Sequence, residues 1–200
     1  MMSHPAAVDG RTARSVSTHD AVVNALLALI EEGNLRPTAR QVSERAGVSL
    51  RSVFQHFDDL ESLFAAAAEL QISRVMAMEV RLTETGSLPD RVAAFTESRS
   101  RLLEAITPVR RAALLQEPFS AEIASRLNWA RQWNLDELQR VFAPELAAFR
   151  EAERQEIVAA LHAAAEWYTW ETLRAHNSLS VATASRVMSR TIRALLQKEE

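Results

Sequence analysis

Residues 38–57, TARQVSERAGVSLRSVFQHF, constrain this chain more tightly than any other stretch. Thr38 is a candidate N-cap for a short helix to about Ala46, because its hydroxyl can accept from a backbone N–H that the first helical turn leaves free. Gly47 ends that helix by tolerating positive φ. Only three residues separate Ala46 from Leu50, and Ser49 is placed to cap a second helix beginning at Leu50. Two short helices joined by so tight a turn read as a helix-turn-helix. Val42, Ala46, Val48, Val53 and Phe57 fall at spacings that close a small core. Arg40, Leu50, Arg51, Ser52, Phe54, Gln55 and His56 are left for an outward surface able to enter a major groove.

The rest of the chain is punctuated in the same style. Ser17 or Thr18 caps a first helix to about Glu32, with Val22, Leu26, Leu29 and Ile30 as its apolar stripe. Asp58 or Asp59 opens a long helix from Leu60 to about Thr85. Ser87 with Pro89 opens another to Ile106, Pro108 a short one to Glu117, and Pro118 with Ser120 one reaching Phe142. Pro144 breaks that run, after which a long helix spans about Arg150 to His176 and a last one ends near Gln197. Alternating β-branched runs are absent and alanine and leucine dominate, so the fold class is all-α with about nine helices.

A net charge of -3 speaks against nucleic acid, since polyphosphate binding rests on Lys and Arg. Residues 1–60 carry Arg11, Arg14, Arg36, Arg40, Arg45 and Arg51 against Asp9, Asp20, Glu31, Glu32, Glu44, Asp58 and Asp59, and Lys198 is the only lysine. Affinity for a polyanion would therefore depend on where the arginines point, and two copies of the chain would double the set. The absence of cysteine excludes disulfides and thiolate metal sites and fits a reducing cytoplasm, the expected location. No apolar run approaches the roughly 20 residues of a membrane span, and the opening MMSHPAAVDGRTARS lacks the apolar centre of a signal peptide. No nucleophile motif, phosphate-cradling glycine loop or catalytic carboxylate pair is present, so neither catalysis nor a cofactor is expected.

The run TARQVSERAGVSLRSVFQHFDDLESLF, with its Ala46-Gly47-Val48-Ser49 turn followed by Phe54, His56, Phe57 and Leu63, resembles the TetR family of bacterial transcriptional repressors. That resemblance covers roughly the first sixty residues; beyond residue 85 only architecture carries over. Residues 1–15 are polar, hold Pro5 and Gly10 and read as a disordered arm, and the resemblance implies a helix-turn-helix DNA-binding domain at 16–60 and a helical effector-binding and dimerisation domain at 61–200. Thr38 then corresponds to a phosphate-binding cap, with Arg40 within reach of backbone or base edge. Ser49, Leu50, Arg51 and Ser52 begin a recognition helix, Arg51 being the candidate for a bidentate guanine contact. Phe54 and His56 take the family's Tyr and His contact positions, and Gln55 lies between them. Phe54 lacks the hydroxyl that donates to phosphate, and Leu60 stands where the family commonly has a lysine.

The expected activity is repression, with release from a near-palindromic operator by a small apolar or aromatic effector. Aromatic residues concentrate in the second half, so Phe95, Phe119, Asn128, Trp129, Trp133, His162, Glu166, Trp167 and Trp170 are the candidate ligand pocket, although aromatics at helical spacing commonly form core. Ile157, Leu161, Ala164 and Tyr168, with Ala184, Met188, Ile192 and Leu195, make the stripes of a candidate homodimer interface or of packing within one chain. Two other readings stay open. A regulator without an effector would have the aromatic cluster fully packed, and a helical metal-dependent protein would need the i, i+4 pair His162 and Glu166, for which no metal is expected.

Overall fold

The computed structural model describes residues 10–78 and 81–197, with side chains from residue 16 onward. The described residues are all-α, with no strand. In order they form α1 (Gly10–Glu31), α2 (Ala39–Ala46), α3 (Leu50–His56), α4 (Leu60–Met78), α5 (Leu88–Gln116), α6 (Ala121–Val141), α7 (Ala143–Leu146), α8 (Glu151–Ala165), α9 (Trp167–Glu171), a π-helical turn (Thr172–His176) and α10 (Val181–Leu196).

The chain divides into two compact units. The first runs to Arg74 and adds Pro108–Ile123; the second holds Val75–Thr107 and Ala124 onward. In the first unit α1 packs on α2 and α3, and Val22, Leu26, Leu27, Ile30, Val42, Val53, Phe57 and Leu63 form its buried interior. Ala46 and Val48 are only half-buried. Arg45 forms a bidentate ion pair with Glu32 at the end of α1, Nη1 donating to Oε2 at 2.9 Å. The guanidinium holds the Glu32 carboxyl below the usual carboxylate range. Arg74 ties α4 back to α1 by donating to Asn24 Oδ1 at 2.5 Å.

In the second unit α8 packs on α10. Two buried arginines fasten α5 to the α6–α7 segment: Arg91 donates to the Val141 carbonyl at 2.7 Å and pairs with Glu145, and Arg99 bonds Asn134 and Glu137. Arg99 also lies over the rings of Phe95 and Trp133, at 5.2 and 5.8 Å from their centroids.

Four boundaries depart from expectation. The helix expected from Ser17 or Thr18 begins at Gly10, so only residues 1–9 of the expected arm remain unassigned, and they lie outside the described residues, as does Lys198. Residues 81–85 are not helical: Thr83 Oγ1 accepts the Thr85 N–H at 3.1 Å, closing a local turn that competes with helix. Pro108 opens no new helix but sits inside α5. A proline there removes the bond to the carbonyl four residues back, a cost of about 3 kcal/mol that the helix carries without breaking. Instead of one helix from Arg150 to His176, the backbone turns extended at Glu166, with φ -78 and ψ 155. There Glu166 Oε2 accepts the Trp167 N–H at 3.1 Å and the Thr169 hydroxyl donates to the Ala163 carbonyl at 2.5 Å, so side chains satisfy both helix ends.

Candidate nucleic-acid interface

The turn between α2 and α3 is built from local hydrogen bonds. Thr38 Oγ1 accepts the Gln41 N–H at 3.3 Å while Gln41 Oε1 accepts the Thr38 N–H at 2.9 Å, a reciprocal capping box. At the other end Gly47 takes φ 68 and ψ 28. Its N–H donates to the Glu44 carbonyl, and the Val48 N–H donates to the Ser43 carbonyl at 3.0 Å. This is the Schellman arrangement, which closes a helix in the shortest space. Ser49 Oγ then accepts the Ser52 N–H at 3.1 Å and starts α3. Space around Gly47 is open, so only backbone conformation selects glycine. Gly47→Ala is expected to lower unfolding free energy by about 1 kcal/mol, measured by urea denaturation, through left-handed strain alone. An unchanged midpoint would mean the turn relaxes without that conformation.

The expected DNA-facing residues do not all share one state. Arg51 is exposed and has no side-chain partner among the described residues, so its guanidinium is available to a ligand. Leu50 and Phe54, one turn apart on α3, are 43% and 49% exposed. Gln55 is exposed, and Ser52 and His56 are half-buried. Ser49 is committed to its cap, its hydroxyl also lying 2.9 Å from that of Ser52. Arg40 is exposed but paired, Nε donating to Glu44 Oε1 at 2.8 Å, which raises its already high pKa. Leu60 is half-buried at the start of α4.

His19 is a residue that sequence inspection missed. It stacks on Phe57 with centroids 4.8 Å apart, meets His56 edge-on at 6.2 Å, and its Nδ1 lies 3.2 Å from Asp20 Oδ1. No motif spacing announces it, because only the packing of α1 on α3 brings His19 beside His56.

The expected ligand-pocket residues do not form one cavity. Phe95 is buried against Phe142 with centroids 5.3 Å apart. Trp167 Nε1 donates to Thr107 Oγ1 at 3.0 Å, and Trp170 Nε1 donates to Glu104 Oε1 at 2.8 Å. Arg174 bonds the same carboxylate, which raises the arginine pKa further. Both indoles are therefore core with their polar edges already satisfied. Trp129 is 47% exposed, Asn128 is exposed and accepts from Arg131, and Trp133 lies under Arg99. Phe119 belongs to the first unit. Of the set, His162 alone lines a cleft of about 660 Å³ in the second unit, between α6, α7 and α8. Its Nε2 is 3.5 Å from Glu166 Oε1, and the described residues hold no group of three or more His, Asp or Glu able to hold a metal.

Much of the candidate dimer stripe is covered within a single chain, the alternative left open by the sequence. Leu161, Ala184, Met188 and Ile192 are 0–1% exposed within a single chain, and Ala164 is also buried, in a unit where α8 packs on α10. A side chain already covered by its own chain cannot meet a second copy. Ile157 and Leu195 are half-buried, and Tyr168 remains 53% exposed.

No protein-family model matches the chain, and no curated protein does. Solved structures do. A transcriptional regulator from Rhodococcus sp. Rha1 superposes with a TM-score of 0.70 at 19% identity, over 89% of this chain and 95% of that one. A TetR transcription regulator from Haloarcula marismortui ATCC 43049 gives 0.67 at 16% identity, over 91% and 100%. A protein from Mesorhizobium loti MAFF303099 described as a TetR-family transcriptional regulator gives 0.65 at 17% identity, over 92% and 96%. With a helix-turn-helix formed by α2 and α3 packed on α1 in an all-α chain, the chain has the fold of TetR-type transcriptional regulators.

Proposed function

We propose that this protein is a homodimeric DNA-binding transcriptional regulator that represses by occupying a near-palindromic operator and is released by a small effector. The observation that carries this reading is the exposed start of α3, where unpaired Arg51 stands between Leu50 and Ser52 with Phe54 one turn on. Such a surface offers a guanidinium for guanine O6 and N7 and apolar side chains for thymine methyls. Thr38, His56 and the newly found His19 are the candidates for phosphate contacts, which set register without reading sequence. Arg40 joins them by exchanging Glu44 for a phosphate.

Reading two half-sites requires two copies of the chain. With the α8–α10 stripe buried, the faces left for a partner are the outer ones. Glu153 and Glu156 on α8, and Arg190 and Arg193 on α10, have no partners among the described residues. A twofold pairing that sets α8 of one protomer against α10 of the other matches these charges, with Ala159, Ala163, Val187 and Ala194 allowing close approach. The satisfied indoles of Trp167 and Trp170 argue against an effector entering among them. Selection of bound sites from random duplexes supplies the operator, and Arg51→Ala then tests the assignment. It is expected to cost about 1 to 3 kcal/mol of discrimination at one base pair per half-site. Unaltered selectivity in a mobility-shift assay would remove Arg51 from the reading surface.

A further inference from the structure

The first unit holds a concavity of about 520 Å³, within the range of small-molecule sites, lined by Arg36, Thr38, Glu61, Phe64, Leu115 and Phe119 among others. Phe119 is 81% exposed, the most exposed large apolar side chain among the described residues. A phenyl ring left that open at the edge of an apolar wall gains most from an occupant with a flat apolar body. The charges select the occupant further. Glu61 lies in the first turn of α4, where the positive end of the helix offsets its carboxylate. Arg36 has no such compensation. Its backbone N–H bonds Asn34 Oδ1 at 3.2 Å, but its guanidinium has no partner among the described residues. The lining therefore lacks one anion. Thr38 forms part of the same wall and is held in place by its capping box with Gln41.

We propose that this concavity binds a small molecule combining an aromatic or apolar body with one anionic group, seated on Phe119 and Arg36, and that its occupation competes with DNA. Competition rests on the DNA-binding reading above: an anion at Arg36 beside Thr38 takes both the charge and the space that a backbone phosphate would use. By linkage, bound duplex must weaken the molecule's affinity by the same factor.

Anilinonaphthalene sulfonate, an aromatic body with one anionic group, serves as probe on the full chain. Fluorescence titration is expected to show saturable binding that Phe119→Ala and Arg36→Ala each weaken about tenfold, while Trp129→Ala, which removes another exposed aromatic, leaves it unchanged. Arg36→Lys should recover part of the loss, and circular dichroism checks that each variant stays helical. Saturating duplex selected from random sites should weaken the probe about tenfold. Equal binding in both pocket variants, or an equal loss in Trp129→Ala, would overturn the site as dispersed adsorption. Binding lost in Phe119→Ala but indifferent to duplex would overturn the competition. If no duplex is bound at all, the regulator reading fails, while the titrations without DNA still decide the site.

Discussion

Replacing Trp170 by alanine is expected to cost about 3 to 5 kcal/mol of stability, the largest loss of any single truncation considered. The indole is fully buried, so its removal forfeits the transfer energy of the largest side chain in the interior and leaves a cavity that rigid helices on either side close only in part. It also removes one of the N–H groups that hold Glu104, which Arg174 bonds as well. Against a total stability of about 5 to 15 kcal/mol this is a large fraction. Trp170→Phe separates the two contributions: it retains most of the volume and loses the N–H donor, so about 2 kcal/mol is expected. Urea denaturation at one protein concentration measures both. A loss under about 1 kcal/mol for the alanine variant would show that the space at Trp170 is readily refilled.

The second large effect is on assembly. In the proposed twofold pairing, reversing Arg190 and Arg193 together to glutamate would set like charges against Glu153 and Glu156 twice. Like-charge juxtaposition at an interface costs several kcal/mol, so the dimerisation constant is expected to weaken on the order of 100-fold. Operator binding should fall with it, because a single reading head neutralises too few phosphates. The decisive experiment is the swap. Adding Glu153→Arg and Glu156→Arg to the reversed protein should restore dimers in sedimentation velocity and return the mobility shift. Both faces are exposed in the single chain, so folding is not at stake. If the reversed protein remains a dimer, the chain pairs through another surface.

Both expectations draw on features that differ in how far they could be read from residues alone. The helix-turn-helix was legible because every bond that makes it is local: Thr38 with Gln41, Gly47 with Glu44, Val48 with Ser43, Ser49 with Ser52. Residue type and spacing suffice when both partners lie within a turn of each other. The break at Glu166 was not legible, since neither glycine nor proline marks it and the carboxylate that caps Trp167 looks like any helical glutamate. Pro108 misled in the opposite sense, a residue that ends isolated helices being carried inside a 29-residue one.

The amino-acid order by itself determined the all-α class, the capped helix-turn-helix and the exposure of Leu50, Arg51, Phe54 and Gln55 on α3, because helical period and capping chemistry are short-range. Tertiary structure alone decided which apolar stripe is interior and which face stays open. Leu161, Ala184, Met188 and Ile192 are buried within the chain, while Phe119, in the turn between α5 and α6, is left uncovered beside Arg36 and Thr38. Burial is a property of how helices distant in sequence pack, and periodicity records only that a face is apolar, never which partner covers it.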